Sequence, residues 1–440
     1  MSKQEITAIR GPVLTFTGDA FVKGVKDTLV YEPDAIIAMH QGAITHFGPA
    51  DTVAKNLPVD LMVKDYGKDA LIMPGFIDTH VHYPQTQIIG SYGEQLIDWL
   101  HKYAFAAEQQ FADKSHAKGV AKVFLQECLR AGTTTASVYC TVHPQSVDAF
   151  FEEADALNMR MIAGKVMMDR NAPAALTDTP QQSFNDSQRL IDRWHNHGRQ
   201  LYSVTPRFAP TSSPEQMVMA AALWQQNPGT YLQSHLSENK AEIDWVKSLY
   251  PNSSGYLDVY DQHQLLGSRA IYGHGVWLTE EELQRCHDTG TSIAHCPTSN
   301  QFLGSGLFNL ANAKQATRPV KVGLGTDIGA GTSFSMLQTL NETYKVAQLT
   351  GNPLSAELAF YLATRGSAEA LYLQDKVGSI APGMEADLVV LDMKSTPIIS
   401  YRMQFCDSFA EALFLQMTLG DDRAVQATYI AGNCLYQRNS

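Results

Sequence analysis

The strongest constraint on this chain is a repeat. Between about residue 70 and residue 377, short apolar runs of β-type residues alternate with stretches of helical period. Residues 71–73, 133–139, 161–167, 202–205, 231–234, 270–272, 292–294 and 320–323 read as strands. Between them, Val120, Val123, Phe124 and Cys128 fall on one helical face that Gly132 ends. Ser213-Pro214-Glu215-Gln216 and Thr279-Glu280-Glu281-Glu282 carry helix-start chemistry, with Gly290 closing the second helix. About eight strand–helix repeats are what an α/β (β/α)8 barrel needs.

The flanks lack that period. Residues 1–69 hold two alternating runs around Gln41-Gly42, and residues 378–440 hold two more β-type runs, 386–392 and 427–432. The simplest architecture joins both ends into a small composite β-sandwich beside a barrel over 70–377. The pattern shows β structure but not how the ends pair.

Composition narrows the function. The chain of 440 residues is 44% hydrophobic, enough for a large packed core. A net charge of -12 opposes binding to nucleic acid or an anionic membrane. The first residues lack a secretory pattern and no apolar stretch is long enough to span a bilayer. Six scattered cysteines with no Cys-x-x-Cys suggest reduced thiols and a cytoplasmic location. Neither half of the cytidine-deaminase zinc signature, His-x-Glu and Pro-Cys-x-x-Cys, is present.

The chemistry gathers at strand ends. Side chains two apart on a strand share a face, so His80 and His82 can present two neutral imidazoles to one zinc or iron ion. His235 ends a later strand, and Asp327 follows the glycine-punctuated run 322–326. Barrel enzymes keep their catalysis at this carboxyl face. Glu238, three residues after His235, is either a helix-start carboxylate or a proton carrier. His274 ends another strand, as a core histidine or a site residue. Asp78 shares the face of the paired histidines and either orients a ligand or caps a turn. Cys296 reads as a small buried thiol.

Residues 74–82, Pro-Gly-Phe-Ile-Asp-Thr-His-Val-His, and the tail element 377–388 closely resemble the amidohydrolase superfamily. Stretches 82–85, 206–210, 235–239, 303–309 and 325–332 resemble its guanine-deaminating branch, and the likeness runs on to Gly432. The resemblance implies the metal-dependent barrel, the composite sandwich, one zinc per subunit and a homodimer. It implies zinc held by His80, His82, His235 and Asp327. The substrate-contact stretches are His82, Tyr83, Pro84 and Gln85; Arg207 and Phe208; and His235, Leu236, Ser237 and Glu238, with Asp327. Gln85 and Arg207 would hold the purine, Glu238 would shuttle the proton, and His274 with Asp327 would act on the attacking water. Binuclear relatives need a lysine ending the fourth strand; here that strand ends Thr205-Pro206-Arg207, and Lys165 on the third reads as structural. The implied reaction is hydrolysis of guanine at C2 to xanthine and ammonia. A related base such as 8-oxoguanine or a pterin is the alternative within this chemistry, and a metal-free barrel scaffold the alternative outside it. For Arg207 the rival reading is a barrel-rim salt bridge.

Overall fold

A computed structural model of the chain describes residues 6–93 and 95–439. Eight parallel strands follow one another in spatial order: Phe76–His82, Thr133–Tyr139, Arg160–Gly164, Leu201–Pro206, Tyr231–Leu236, Ala270–His274, Ser292–His295 and Lys321–Leu324. All are buried apart from the partly exposed His235 and Lys321, as strands walled by helices on one side and packed side chains on the other should be. Thr133–Tyr139 matches its predicted run, the five strands from Leu201–Pro206 onward are a residue or two longer than or offset from theirs, and 161–167 is split into Arg160–Gly164 and the short strand Val166–Met167.

One strand is reassigned. Residues 71–73 lie in Ala70–Pro74, which is outside the barrel and pairs antiparallel with Leu388–Asp392 and, at Ile72, parallel with Val13 of Thr7–Phe16. The barrel begins instead at Phe76. The physical reason is that Ala70–Pro74 is apolar on both faces. Ile72 faces the core of the small sheet, while Leu71 and Met73 face the large core shared with the barrel. A run buried on both sides does not reveal which sheet it joins.

The chain ends combine as expected, in one eight-stranded sheet with Ala70–Pro74 and Leu388–Asp392 side by side at its centre. Gln41 and Gly42 turn the Leu29–His40 and Ala43–Pro49 hairpin with φ of 53° and 83°, the double left-handed geometry of a tight hairpin turn. Backbone bonds from Ile44 N to Met384 O and from Ala386 N to Gly42 O draw that hairpin against the segment entering Leu388–Asp392. The sheet therefore curls round its own apolar cluster, which includes Val13, Ile37, Ile72 and Leu388.

The helix signals hold locally. Ser213 accepts from Gln216 N, Thr279 and Glu282 form a capping box, and Gly290 closes that helix. In Lys114–Arg130 the buried stripe runs through Ala117, Ala121, Phe124 and Cys128, whereas Val123 is 50% exposed. A neighbour of Phe124 in sequence points about 100° away on a helix, so Val123 leaves the predicted face. All six cysteines are free, four of them buried. Lys165 is structural: its ammonium meets Asp178, Ser183 Oγ (3.1 Å) and Val166 O (3.2 Å).

A largely buried charge network fastens the barrel to the tail. Arg160 and Arg199 both bind Glu385, and Arg199 also binds Asp387, whose Oδ1 accepts from Ala431 N at 2.8 Å. Arg199→Ala leaves two carboxylates short of their partner, so unfolding in denaturant should move to lower concentration by the equivalent of about 3–5 kcal/mol. An unchanged midpoint would show that the network does not hold the tail.

Candidate active site

The first and last barrel strands meet where the predicted ligands lie. Asp327 N donates to His80 O (2.9 Å), His82 N to Ile328 O (3.0 Å) and Thr79 Oγ1 to Leu324 O (2.9 Å). Asp78 spans this seam, accepting from His80 N and Thr326 N at 3.1 Å each and from the Thr326 hydroxyl. It thus orients the backbone of the two segments that carry His80 and Asp327. Burial raises its pKa to about 7 against those hydrogen bonds.

The four expected donors converge. Asp327 Oδ1 lies 3.5 Å from His80 Nε2 and 3.4 Å from His82 Nε2, and His82 Nε2 lies 3.1 Å from His235 Nε2. His235 Nδ1 is 2.7 Å from Arg207 O and so carries the proton, turning the lone pair of Nε2 inward. Burial pulls the pKa values of His80, His82 and His235 down, keeping them neutral. Burial would raise Asp327, but His80, His274 and Ser299 together bring it down to about 2.

These donors fit a divalent cation. A tetrahedral ion with bonds near 2.0–2.1 Å sets its ligands about 3.3 Å apart, close to the separations seen here. His80 Nε2 is buried without a hydrogen-bond partner, and a lone pair facing another imidazole at 3.1 Å is best satisfied by a shared cation. Ring nitrogens of His80, His235 and His274 also lie within 4.8 Å of one another. The Cys296 thiol, which burial holds well above its ordinary pKa, also lies within 4.8 Å of His80 and Asp327. Room for His80 depends on Gly273, where a Cβ would stand 2.4 Å from its Cε1.

Beside the donors lies an acid–base pair. His274 Nε2 is 3.4 Å from Glu238 Oε2 and 3.8 Å from Asp327 Oδ2, while its Nδ1 faces Asn300 Oδ1 at 2.8 Å. Burial lowers the His274 pKa, but those two carboxylates, with the Asn300 hydrogen bond and Glu242, more than reverse it. Burial raises Glu238 to about 7. Ser305 Oγ donates to Glu238 Oε1 (3.0 Å), and Glu242, within the capping box of the next helix, accepts from Glu238 N (2.9 Å).

A cavity opens beside these groups, lined by His82, Gln85, Arg207, His235, Glu238, His274 and Asp327 and walled by Trp99, Leu100, Phe208 and Leu303. Arg207 is 2% exposed and its Nη1 binds both oxygens of Glu108, at 2.9 and 2.8 Å. It is therefore both a salt-bridge partner and a cavity residue, and the bridge lies in the interior, away from the rim. Gln85 Nε2 donates to the same carboxylate (3.0 Å), and Gln85 Oε1 accepts from Gly329 N (3.2 Å).

Four substrate-contact candidates do not line this cavity. The Tyr83 hydroxyl donates to Ser146 O inside an aromatic cluster with Phe111 and Phe150, because alternation along the chain turns it from the face of His82. Pro84, Leu236 and Ser237 are buried beside the cavity, and the Ser237 backbone, at φ 47°, turns the chain so that Glu238 reaches in. In return, Glu108, Asn300, Ser305, Glu242 and Trp99 were missed. Glu108 had one signal: it shares an apolar helical stripe with Ala104 and Phe111, where an acid needs a partner. The helical run from Leu96 contains a π turn at Leu100–Ala104, whose extra residue brings Trp99 and Leu100 as well as Glu108 to the cavity side.

A sequence profile of the amidohydrolase family matches residues 71–435. The guanine deaminase of Escherichia coli (strain K12) is 53% identical over 94% of this chain and 94% of its own length. The solved structure of E. coli guanine deaminase superposes with a TM-score of 0.95 at 51% identity, covering 98% of this chain and 100% of that one. Guanine deaminase from C. acetobutylicum, solved with guanine in its active site, gives a TM-score of 0.86 at 28% identity, with 98% and 100% covered.

Gly273→Ala should displace the His80 ring. The purified variant is expected to hold a divalent metal at least tenfold more weakly while keeping its fold, a loss on the order of other disturbances around a ligand. Metal titration with a chelating competitor, paired with circular dichroism, reads both; undiminished affinity would remove His80 from the ligand set.

Proposed function

Because this chain belongs to the amidohydrolase family, we propose that it is a guanine deaminase, hydrolysing guanine at C2 to xanthine and ammonia. One observation carries the reading: a single cavity brings the donor cluster, the Glu238–His274 pair and the Arg207–Gln85 pair to one small ligand. The metal is zinc, one per subunit, held by His80, His82, His235 and Asp327, in keeping with three neutral imidazoles and one carboxylate. When bound, such an ion supplies the Lewis acidity that makes hydroxide available near neutral pH.

The residues of the chain supply the rest. Arg207 Nε and Nη2 have no partner among the described residues, which leaves N–H donors for the O6 and N7 acceptors of guanine. Adenine carries an amino donor at the six position and would leave such donors unmet. Gln85 adds an amide of set orientation, and Trp99, Leu100 and Phe208 exclude water from the ring faces. A pKa near 7 lets Glu238 act in both directions. It takes a proton from the attacking water as oxygen adds to C2 and passes it to the neighbouring ring nitrogen. It then takes the remaining proton of the added hydroxyl and delivers it to the exocyclic amine, so that the C2–N bond breaks, ammonia leaves and C2=O forms. His274, fixed by Asn300, presents Nε2 to that water between two carboxylates. Asp327 stays anionic throughout, consistent with its pKa of about 2.

A homodimer is proposed on family grounds, with sedimentation as its test, and a cytoplasmic location agrees with six free cysteines. No helix among the described residues is long and apolar enough to cross a membrane.

Purified protein offered guanine, 8-oxoguanine and isoxanthopterin should release ammonia fastest from guanine; preference for either of the others would reassign the substrate, and none from any would point to a scaffold. Glu238→Gln should retain one equivalent of zinc and lose about 10²–10⁴-fold in turnover. Wild-type turnover in that variant would sink the shuttle assignment.

A further inference from the structure

Glu108 takes no part in the chemistry above, yet both residues that hold the purine in that reading are bound to it. It is fully buried, on the same helical turn as Phe105, whose ring lies 5.5 Å from the Arg207 guanidinium carbon. Both its oxygens accept from Arg207 Nη1, and Oε1 accepts also from Gln85 Nε2. Arg207 is therefore clamped at one end and faced on one side, with Nε and Nη2 left over. The Gln85 amide cannot flip, since a carboxylate only accepts and the Gly329 N–H at its other end only donates. Charge is the second consequence. An unpaired guanidinium in a site this dry would draw in an anion to replace its lost hydration. Paired with Glu108, it offers N–H donors without net positive charge.

We infer that Glu108 is a specificity-determining positioning residue, fixing Arg207 and Gln85 for a neutral purine and turning away anionic ones. This rests on the guanine reading. It implies that affinity for neutral and anionic purines moves in opposite directions when the charge of Glu108 is removed, which loss of packing alone would not produce.

The test is Glu108→Gln in the full-length, metal-loaded enzyme, with guanine as substrate and urate, a purine anion at neutral pH, as competitive inhibitor. The Michaelis constant for guanine should rise about tenfold with kcat within about threefold, and urate should inhibit about tenfold more tightly. Glu108→Asp keeps the charge but shortens the reach, so the Michaelis constant should stay raised while urate inhibition returns to the wild-type value. That variant decides the matter alone if Glu108→Gln does not fold: a raised Michaelis constant with unchanged urate inhibition supports the inference, and any other pattern overturns it. Wild-type constants in Glu108→Gln, or a fall in kcat with no gain for urate, would overturn it while leaving guanine deamination intact. Wild-type enzyme that releases no ammonia from guanine would overturn both.

Discussion

Between its last strand and its first, the barrel is joined by a small set of bonds around Asp78, and nearly everything in the cavity depends on them. Asp78 grips His80 N and Thr326 N, while Asp327 N reaches back to His80 O. These atoms belong to proposed metal-ligand residues or their immediate neighbours, so closing the fold and assembling the donors are one event. The same corner holds backbone that a free chain avoids: His274 and Asp327 have φ of 73° and 51°. Each such residue costs on the order of 1–3 kcal/mol and persists where its surroundings over-determine it. Here the seam bonds, the parallel ladder and the Asn300 contact do so.

Three buried carboxylates show how far neighbours separate like groups. Asp327 sits at about 2, and Asp78 and Glu238 at about 7, although burial pushes all three upward. Asp327 meets imidazoles, which favour its charge. Asp78 meets only neutral donors that do not match its burial, and Glu238 has the carboxylates of Glu242 and Asp327 nearby as well as His274. One permanently anionic group and one that exchanges protons near neutrality are what a ligand and a shuttle respectively require.

How much of this was legible depended on whether a residue announced itself locally. His80, His82, His235 and Asp327 did, because each ends an apolar run and the period of a strand says which way the paired histidines face. The caps at Ser213 and Thr279 did too, being complete within four residues. Glu108 did not. Its partners stand 23 and 99 positions away, and only the assembled barrel brings them together. Asn300 and Ser305 were hidden for the same reason: each acts through one contact with a residue 26 or 67 positions away. The misplacement of residues 71–73 has another origin. Ala70–Pro74 packs against two cores at once, so its composition matches a barrel strand while its partners belong to the other sheet. Tyr83 shows the reverse error, where closeness in sequence to His82 and Gln85 stood in for closeness in space.

The centre of the small sheet has a consequence for synthesis. Ala70–Pro74 leaves the ribosome early, but its antiparallel neighbour Leu388–Asp392 comes only after the whole barrel. Until then the half-sheet of Thr7–Phe16, Leu29–His40 and Ala70–Pro74 carries an apolar strand with an open hydrogen-bonding edge, the kind of surface that invites association between nascent chains. The central ladder of the small sheet can therefore close only once the carboxyl-terminal strand has been made.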